Sequence, residues 1–488
     1  LIVKSGKDAA RAKEIFGDLV NITTEGQRHL GAALGSKGFK DTYCSKKVEN
    51  WTNQMKVLTE IAKTQPQSAY VGFTKGFVSK FTYFLRTIEG FEEYTDMLQE
   101  VINDAFVPSL AGEDTPFTPT QNRLFSLPAS QGGLGIPQLK EQASIQFSAS
   151  LNLTSAHRES IKDQDTCVRE KNRDGHTQST LRYHYQTLKL ARLKGKTAAI
   201  HQALPQPLKP YMKQSQDTGA SSWLNAIPKE DEDWVFSKQE FRDCVRLRYN
   251  HPIPDLPSYC VCKDKPVYTV QHAQQCSRGG FINERHDSLR DFFTVLLDKV
   301  CNGVKAEPHL TNLSGEELAY KTAIKGDDAR ADIKARGFWR RGVDAYFDVS
   351  FANVNAESYK DLDTATIFAK REKSKKREYG ERVGLEHATF TPLIFGTNGG
   401  MGAECSMFVK ELAKKLSKKR NEELNVTMCW LRTKISFLCQ RAALLCVRGS
   451  RTPWYKENTK AVSEDFRLTV HEADLDLRIA DDDKRDEE

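Results

Sequence analysis

The chain has 488 residues, of which 28% are charged and 39% hydrophobic, and this composition excludes a disordered or membrane-embedded protein. The formal net charge is +7, but the stretch from Glu464 to the end holds eleven acidic against four basic residues, which leaves +14 on residues 1–463. The length predicts roughly three domains, and the positive charge of the main part of the chain predicts a polyanionic partner. Residues 451–488 are predicted to form an acidic, disordered tail.

The first half of the chain is predicted to be mostly helical. Residues Lys47–Lys63 place Val48, Trp51 and Met55 on one helical face, and Pro66 ends this pattern. Residues 151–255 are polar and charged, with helical patches and a proline-broken run at 205–210, which is typical of a helical connector. The most apolar window, residues 427–447, contains three basic residues and therefore predicts a core helix rather than a membrane span.

A short segment after the connector has the composition of a zinc site. Cys260, Cys262, His272 and Cys276 lie within residues 256–280 in a C-x-C, H-x3-C arrangement. Three thiolates and one imidazole form a tetrahedral set that zinc prefers. Buried core cysteines are the alternative interpretation. The eleven cysteines of the chain are scattered and odd in number, which favours a reducing compartment over a disulfide framework.

Arg285 and His286 follow this segment, at the start of a predicted amphipathic helix that runs from Leu289 to Val300. Both side chains can donate hydrogen bonds to a phosphate, and a helix N-terminus adds to that attraction. His286 fits equally well as a helix-start residue packed on the cysteine-rich segment.

Two aspartates mark the predicted catalytic region. The alternation of apolar and polar residues from Val343 to Phe351 predicts a half-buried strand with Asp348 on the polar face. Asp332 lies in a short strand-like piece, Ala331–Ile333, and the basic turn that contains Arg340 and Arg341 lets a hairpin bring the two aspartates together. Two converging carboxylates suit Mg²⁺, although solvated aspartates on a sheet edge are an alternative.

The nuclease motif that these residues resemble, named below, implies a lysine near the carboxylates that polarises an attacking water. The segment Ala369–Val383 is rich in basic residues, and a helical stripe through Ala369, Tyr379 and Val383 also contains Lys373 and Lys376. We therefore expect Lys376, or else Lys373, to face the sheet. A solvated or phosphate-binding helix face is the alternative. Residues 390–395 predict a further buried strand, followed by a glycine-rich turn and a helix.

Several segments taken in order resemble the C-terminal part of a non-LTR retrotransposon polyprotein. ITTEGQRHLGAALG at 22–35 looks like the entry to a reverse transcriptase thumb, and LPASQGGLGIP at 127–137 with FSAS at 147–150 looks like the end of that polymerase domain. The Cys-Cys-His-Cys segment, the Arg-His pair and the two aspartates resemble the downstream nuclease of the PD-(D/E)xK class. The resemblance covers roughly residues 15–450. Two positions depart from the motif, because Ala331 replaces its proline and Ser350 its lysine.

The resemblance implies a multi-domain chain. It comprises a thumb-like region at 1–150, a connector at 151–255, a zinc knuckle at 256–280 and an α/β restriction-endonuclease-like domain at 281–450. It implies a nuclear enzyme that nicks double-stranded DNA and primes reverse transcription of the element's RNA, and Leu1 would begin a piece of a longer protein. The aromatic-x-Asp-Asp turn of a polymerase does not precede the thumb-like segment, and Gly326-Asp327-Asp328 is interpreted as a polar loop. The competing hypothesis is an inactive remnant that binds nucleic acid through its zinc-bearing, basic surface.

Overall fold

The computed structural model describes residues 1–3, 5–310 and 329–451, and it divides the chain into two compact units. One unit ends at Lys209 and the other begins at Pro210, so the division falls inside the predicted connector. The segment 326–328, predicted to be a polar loop, and the predicted acidic tail beyond Arg451 lie outside the described residues. About 60% of the structure is helical, which agrees with the expected multi-domain, mostly α organisation.

The first unit is a helical assembly with one small hairpin. Its helices are α1 (Gly6–Phe16), α2 (Lys37–Thr64), α3 (Pro66–Val71), α4 (Val78–Thr87), α5 (Asp96–Glu100), α6 (Val107–Ala111), α7 (Pro119–Phe125), α8 (Leu139–Leu153), α9 (Ser155–Lys162) and α10 (Gln178–Ala203). The hairpin pairs β1 (Gly26–His29) with β2 (Ala32–Gly35). As predicted, the Val48, Trp51 and Met55 face of α2 is buried, and α2 ends two residues before Pro66.

The second unit surrounds one four-stranded sheet with helices. Its helices are α11 (Lys209–Gln214, at the boundary), α12 (Lys238–Arg248), α13 (Val270–Ala273), α14 (Phe281–Val300), α15 (Thr364–Leu385), α16 (Ala403–Arg420) and α17 (Leu424–Arg448). Its strands are β3 (Asn302–Ala306), β4 (Ile333–Arg336), β5 (Asp344–Ala352) and β6 (Thr389–Gly396), in the spatial order β3-β4-β5-β6.

The pairing of the sheet changes from antiparallel to parallel at β5. Strands β3, β4 and β5 pair antiparallel, whereas β6 runs parallel to β5 and is reached through α15. A parallel neighbour requires such a crossover, and the crossover helix covers one face of the sheet. The other face packs on α14 and α16 through aromatic contacts, with Phe338, Phe347 and Phe408 within 5.2 Å of one another by ring centroid. Strand β5 is therefore covered on both faces.

Helix α17 contains the apolar window that the sequence predicted to be a core helix, and most of its residues are buried. Its basic side chains reach polar atoms at the edge of the core. Arg441 donates to the carbonyl of Val235 over 2.8 Å, and Lys434 donates to the carbonyl of Glu232 over 2.5 Å. None of the helices in the described part of the chain combines the length and the apolarity needed to cross a bilayer.

Candidate metal centre and carboxylate site

The four predicted zinc ligands converge in the second unit. The ligand atoms of Cys260, Cys262, His272 and Cys276 all lie within 4.8 Å of one another. The sulfurs of Cys260 and Cys276 are 3.7 Å apart, as are the Cys262 sulfur and His272 Nε2. In a tetrahedral site with Zn–S bonds of about 2.3 Å, two sulfurs lie about 3.8 Å apart. The geometry therefore fits a tetrahedral metal ion, and the set can hold a metal such as zinc.

Local backbone hydrogen bonds bring these ligands together. A tight turn through Lys265 folds the first half back on itself, because the Cys260 N–H donates to the carbonyl of Pro266 over 2.9 Å. Thr269 then caps the single helical turn α13 by accepting from the His272 N–H over 3.1 Å. Because α13 ends at Ala273, Cys276 reaches the site from beyond the helix rather than from the same helical face as His272. The four-residue spacing of His272 and Cys276 predicts one helical face for both, and that part of the prediction is wrong, but the four predicted ligands still converge.

We expect the purified chain to carry about one zinc per molecule, and Cys276→Ser to reduce this to a small fraction, because a three-ligand site binds zinc far more weakly. Cys429→Ser is the matched control, since Cys429 is exposed and lies outside the four-ligand set. Inductively coupled plasma mass spectrometry of both proteins measures the metal. Equal zinc in the two variants, or none in the native chain, would contradict the assignment.

The hairpin between β4 and β5 brings Asp332 beside Asp348, as predicted. The register pairs Ile333 with Phe347, and the Asp332 N–H donates to the carbonyl of Phe347 over 3.1 Å. The Asp332 carboxylate in turn accepts from the Val349 N–H through Oδ2 at 2.5 Å. These contacts to the residues on both sides of Asp348 fix Asp332 opposite it on the neighbouring strand.

Asp348 is more deeply buried than the sequence suggested. Strand alternation predicted a polar, half-exposed face, but only 4% of Asp348 is exposed because α15 covers that face. Burial raises the pKa of Asp348 to about 6; the Lys375 ammonium opposes this rise and the Asp332 charge adds to it. Its Oδ2 atom accepts no well-oriented hydrogen bond from the described residues, although Lys375 Nζ lies 3.0 Å away. The carboxylate thus keeps a buried oxygen able to accept a further ligand.

The lysine at this carboxylate is Lys375, not Lys376 or Lys373. Lys375 Nζ lies 3.2 Å from Asp348 Oδ1, and its side chain is 22% exposed. Lys376 points away and pairs with Glu404 at 2.5 Å, whereas Lys373 is exposed. The predicted stripe was anchored on Ala369, a residue small enough for either helix face. Phe368 is buried and therefore marks the inner face of the helix. Lys375 and Tyr379 follow Phe368 by seven and eleven residues, which are helical repeats, so a stripe that starts at Phe368 contains both.

Tyr379 is a further residue of this site, and its sequence pattern predicts only a position on the inner face of the helix. It lies one helical turn after Lys375, whose ammonium is 5.2 Å from the centre of the tyrosine ring. Burial and the nearby Asp348 carboxylate raise the pKa of Tyr379, so its hydroxyl stays protonated. The inner face of α15 therefore presents a cation and a hydroxyl donor to the carboxylate site.

His286 belongs to the carboxylate site rather than to the cysteine cluster. Its Nε2 lies 2.9 Å from Asp332 Oδ2, and its Nδ1 lies 3.1 Å from Asp287 Oδ1. Burial disfavours the charged imidazolium, but the hydrogen bonds and charges of Asp332 and Asp287 outweigh it and raise the pKa of His286 to about 9. At neutral pH an imidazolium therefore holds Asp332 in place.

The His286 contact predicts a pH-dependent stability. Because its pKa is raised above the usual 6.5, the stabilisation is complete below pH 6.5 and is lost as the pH rises through about 9. One pKa unit corresponds to about 1.4 kcal/mol, so the loss is on the order of 3 kcal/mol. In buffer without divalent cations, the melting temperature of the native chain should approach that of His286→Gln between pH 6 and 9.5. A constant gap between the two proteins would contradict the prediction.

Arg285 does not occupy the predicted nucleic-acid-binding position. It is 4% exposed, and its guanidinium donates to Gln274 Oε1 over 2.8 Å and to the Gln274 carbonyl over 3.3 Å. The same group lies 4.7 Å from the centre of the Phe351 ring. Arg285 on α14 therefore contacts both the segment after α13 and strand β5. Adjacent residues of a helix point in different directions, so His286 faces the carboxylates while Arg285 faces the core.

Arg340 and Arg341 lie in the turn between β4 and β5 and are exposed, as the prediction of a binding surface requires. Trp339 beside them is 36% exposed, and its indole N–H donates to Thr391 Oγ1 over 3.0 Å. Lys415 of α16 donates to the carbonyl of Gly337 over 3.3 Å and so adds a third cation. Asp344, where β5 starts, is roughly 13 Å along the strand from Asp348. A basic, aromatic surface thus flanks the carboxylate site.

No protein-family model matches the chain, and none of the curated proteins is significantly similar to it.

Proposed function

We propose that the second unit is a metal-dependent endonuclease that nicks double-stranded DNA. The observation that carries the proposal is the buried carboxylate of Asp348, which faces Asp332 across the β4-β5 hairpin and is contacted by Lys375 at 3.0 Å. A carboxylate pair with an adjacent ammonium is a familiar arrangement for hydrolysing a phosphodiester. In this proposal the chain is the C-terminal portion of a non-LTR retrotransposon polyprotein, and its second unit contains the restriction-endonuclease-like domain.

The residues present fit a hard divalent cation such as Mg²⁺. Asp332 uses Oδ2 for both His286 and Val349, so its Oδ1 is the oxygen that can face a cation. Asp348 offers the buried Oδ2 that accepts no well-oriented hydrogen bond from the described residues. Mg²⁺ is commonly held by one or two carboxylates, with water and phosphate oxygens completing its coordination. When bound, the cation would neutralise phosphate charge and acidify a coordinated water.

The remaining side chains have separate roles in this proposal. Lys375 orients the attacking water and stabilises the hydroxide that forms from it, replacing the motif lysine that is Ser350 here. His286 is a positioning residue, because it contacts Asp332 and not the reacting atoms. Arg340 and Arg341 in the exposed turn contact the phosphate backbone and hold the duplex.

Charge elsewhere in the chain supports a nucleic-acid partner. Helix α10 carries five lysines and arginines and no acidic residue, and most of its residues are exposed. Such a helix attracts a phosphate backbone with a strong dependence on salt. We propose that it contacts the RNA of the element while the second unit contacts target DNA, and that the nicked 3′ hydroxyl primes reverse transcription. These functions would place the protein in the nucleus.

The test is conversion of supercoiled plasmid to open circles by the native chain, with Mg²⁺ and with chelator. Asp348→Asn keeps the size of the side chain and removes the charge that binds the cation, so it should reduce nicking to the chelator background. Ser350→Ala is the matched control on the same strand. Intact plasmid with the native chain, or equal nicking by Asp348→Asn, would leave the inactive nucleic-acid-binding protein as the better description.

A further inference from the structure

A polar cavity lies in the second unit, at the carboxyl ends of the parallel strands β5 and β6. It has a volume of about 70 Å³ and lies between the loops that follow these strands, the end of α12, α13 and α17. A cavity needs roughly 10–15 Å³ to hold one water, so this space is large enough for several waters or, in their place, for one flat ring. In sheets with parallel strands, ligands commonly bind where the strands end.

The lining of this cavity is selective in its chemistry. Eight of its residues are asparagine or glutamine, two are arginine, and none of the described lining residues is acidic. Amide side chains offer a donor and an acceptor together, which is the pattern that the edge of a nucleobase matches. Trp223 and Tyr211 add aromatic surface to the wall. A neutral ring with hydrogen-bonding edges and an attached anion fits this lining.

The amide groups are held in place by one another. Gln214 donates to Asn355 Oδ1 over 2.6 Å, and Asn398 donates to the Gln214 carbonyl over 2.9 Å. Gln271 donates to the Tyr211 hydroxyl over 3.3 Å, and Asn353 donates to the Gln271 carbonyl over 3.4 Å. Because these contacts fix the side chains before any ligand arrives, binding costs little further ordering of the protein.

Two arginines, Arg246 and Arg248, line one side of the cavity. Arg246 lies 3.9 Å from the Asp243 carboxylate, but Arg448 contacts the same carboxylate at 2.8 Å and 3.0 Å. Arg246 and Arg448 thus contact the same acid, and Arg248, which donates to Ser221 Oγ over 2.8 Å, is the second guanidinium that lines the wall. This side of the cavity favours a phosphate group.

We propose that the cavity binds one unpaired nucleotide of a DNA strand, with its base on the amides and its phosphate towards Arg246 and Arg248. Asn353 follows Asp348 by five residues along β5, which corresponds to about 16 Å in a strand. That distance spans roughly five nucleotides of a duplex. The proposal requires a nucleic-acid partner but not hydrolysis, so failure of the nicking test leaves it standing.

The test compares a fluorescent single-stranded 12-mer with an abasic strand of equal length, by anisotropy, at a salt concentration that weakens backbone binding. We expect the native chain to bind the base-bearing strand about fivefold or more tightly. Gln271→Ala and Asn355→Ala should lose this preference, and Gln275→Ala should keep it, since Gln275 is an exposed neighbour outside the lining. Zinc content and melting temperature of each variant confirm that it is folded.

Equal affinity for the two strands, or loss of the preference in Gln275→Ala as well, would overturn the proposal. Competition with a nucleoside 5′-monophosphate distinguishes a strand from a free nucleotide. If the monophosphate displaces the strand at equal concentration, the cavity is a free-nucleotide site and the assignment to a strand is wrong. If it does not, the neighbouring nucleotides contribute to binding and the assignment stands.

Discussion

Replacing Lys375 with alanine is expected to slow Mg²⁺-dependent plasmid nicking by about two to three orders of magnitude. Its ammonium lies 3.0 Å from Asp348 and is largely screened from solvent, so no other cation takes over its position readily. Lys376→Ala should alter the rate by less than about threefold, because Lys376 is more exposed and pairs with Glu404. The measurement is the initial rate of open-circle formation under single-turnover conditions.

Lys375 also neutralises a buried carboxylate, so its loss could act through stability instead of chemistry. Lys375→Ala leaves Asp348 without its ion-pair partner, and its pKa should rise further above the value of about 6. A catalytic role predicts that the rate stays low as the pH is raised and Asp348 becomes ionised, and that the folded fraction is unchanged. If the rate of Lys375→Ala recovers at high pH, or if Lys376→Ala is equally slow, the assignment of the lysine is wrong.

The difference between Lys375 and Lys376 shows what the sequence can determine at this site. Strand alternation and the hairpin turn were sufficient to bring Asp332 beside Asp348, because register follows from local pairing. The sequence did not determine which side of α15 faces the sheet. A helix rich in lysine and arginine has few apolar positions from which to define its inner face. Burial of Asp348 depended on the parallel crossover through α15, which local periodicity does not reveal.

The four metal ligands could be identified from the sequence because they are close along the chain and chemically rare. Cys260 and Cys276 are separated by sixteen positions, and the turn between them is local. The amide cavity could not be identified in this way. Its walls come from segments as distant as Gln214 and Gln440, and asparagine and glutamine are common in loops. Only the folded second unit brings these side chains together.

Arg285→Met is expected to lower the melting temperature of the second unit by roughly 5–12 °C, which corresponds to about 2–4 kcal/mol. The substitution removes two charge-assisted hydrogen bonds to Gln274 and leaves Gln274 Oε1 buried without that donor. Methionine retains most of the side-chain volume, so the change reports on polar contacts more than on a cavity. Differential scanning calorimetry follows the transition, and the double variant Arg340→Met with Arg341→Met is the surface control.

Comparing Arg285→Met with the double variant at Arg340 and Arg341 also distinguishes an arginine that stabilises the fold from arginines that bind nucleic acid. Because Arg285 is buried, folded Arg285→Met should bind duplex DNA with native affinity and an unchanged dependence on salt. The Arg340 and Arg341 variant should show the reverse behaviour, with a native melting temperature, weaker binding and a salt slope reduced by about two. If Arg285→Met melts normally but binds DNA weakly, the guanidinium must reach the duplex. That result would require α14 to move away from Gln274 when DNA binds, and the path of the duplex would then cross the start of that helix.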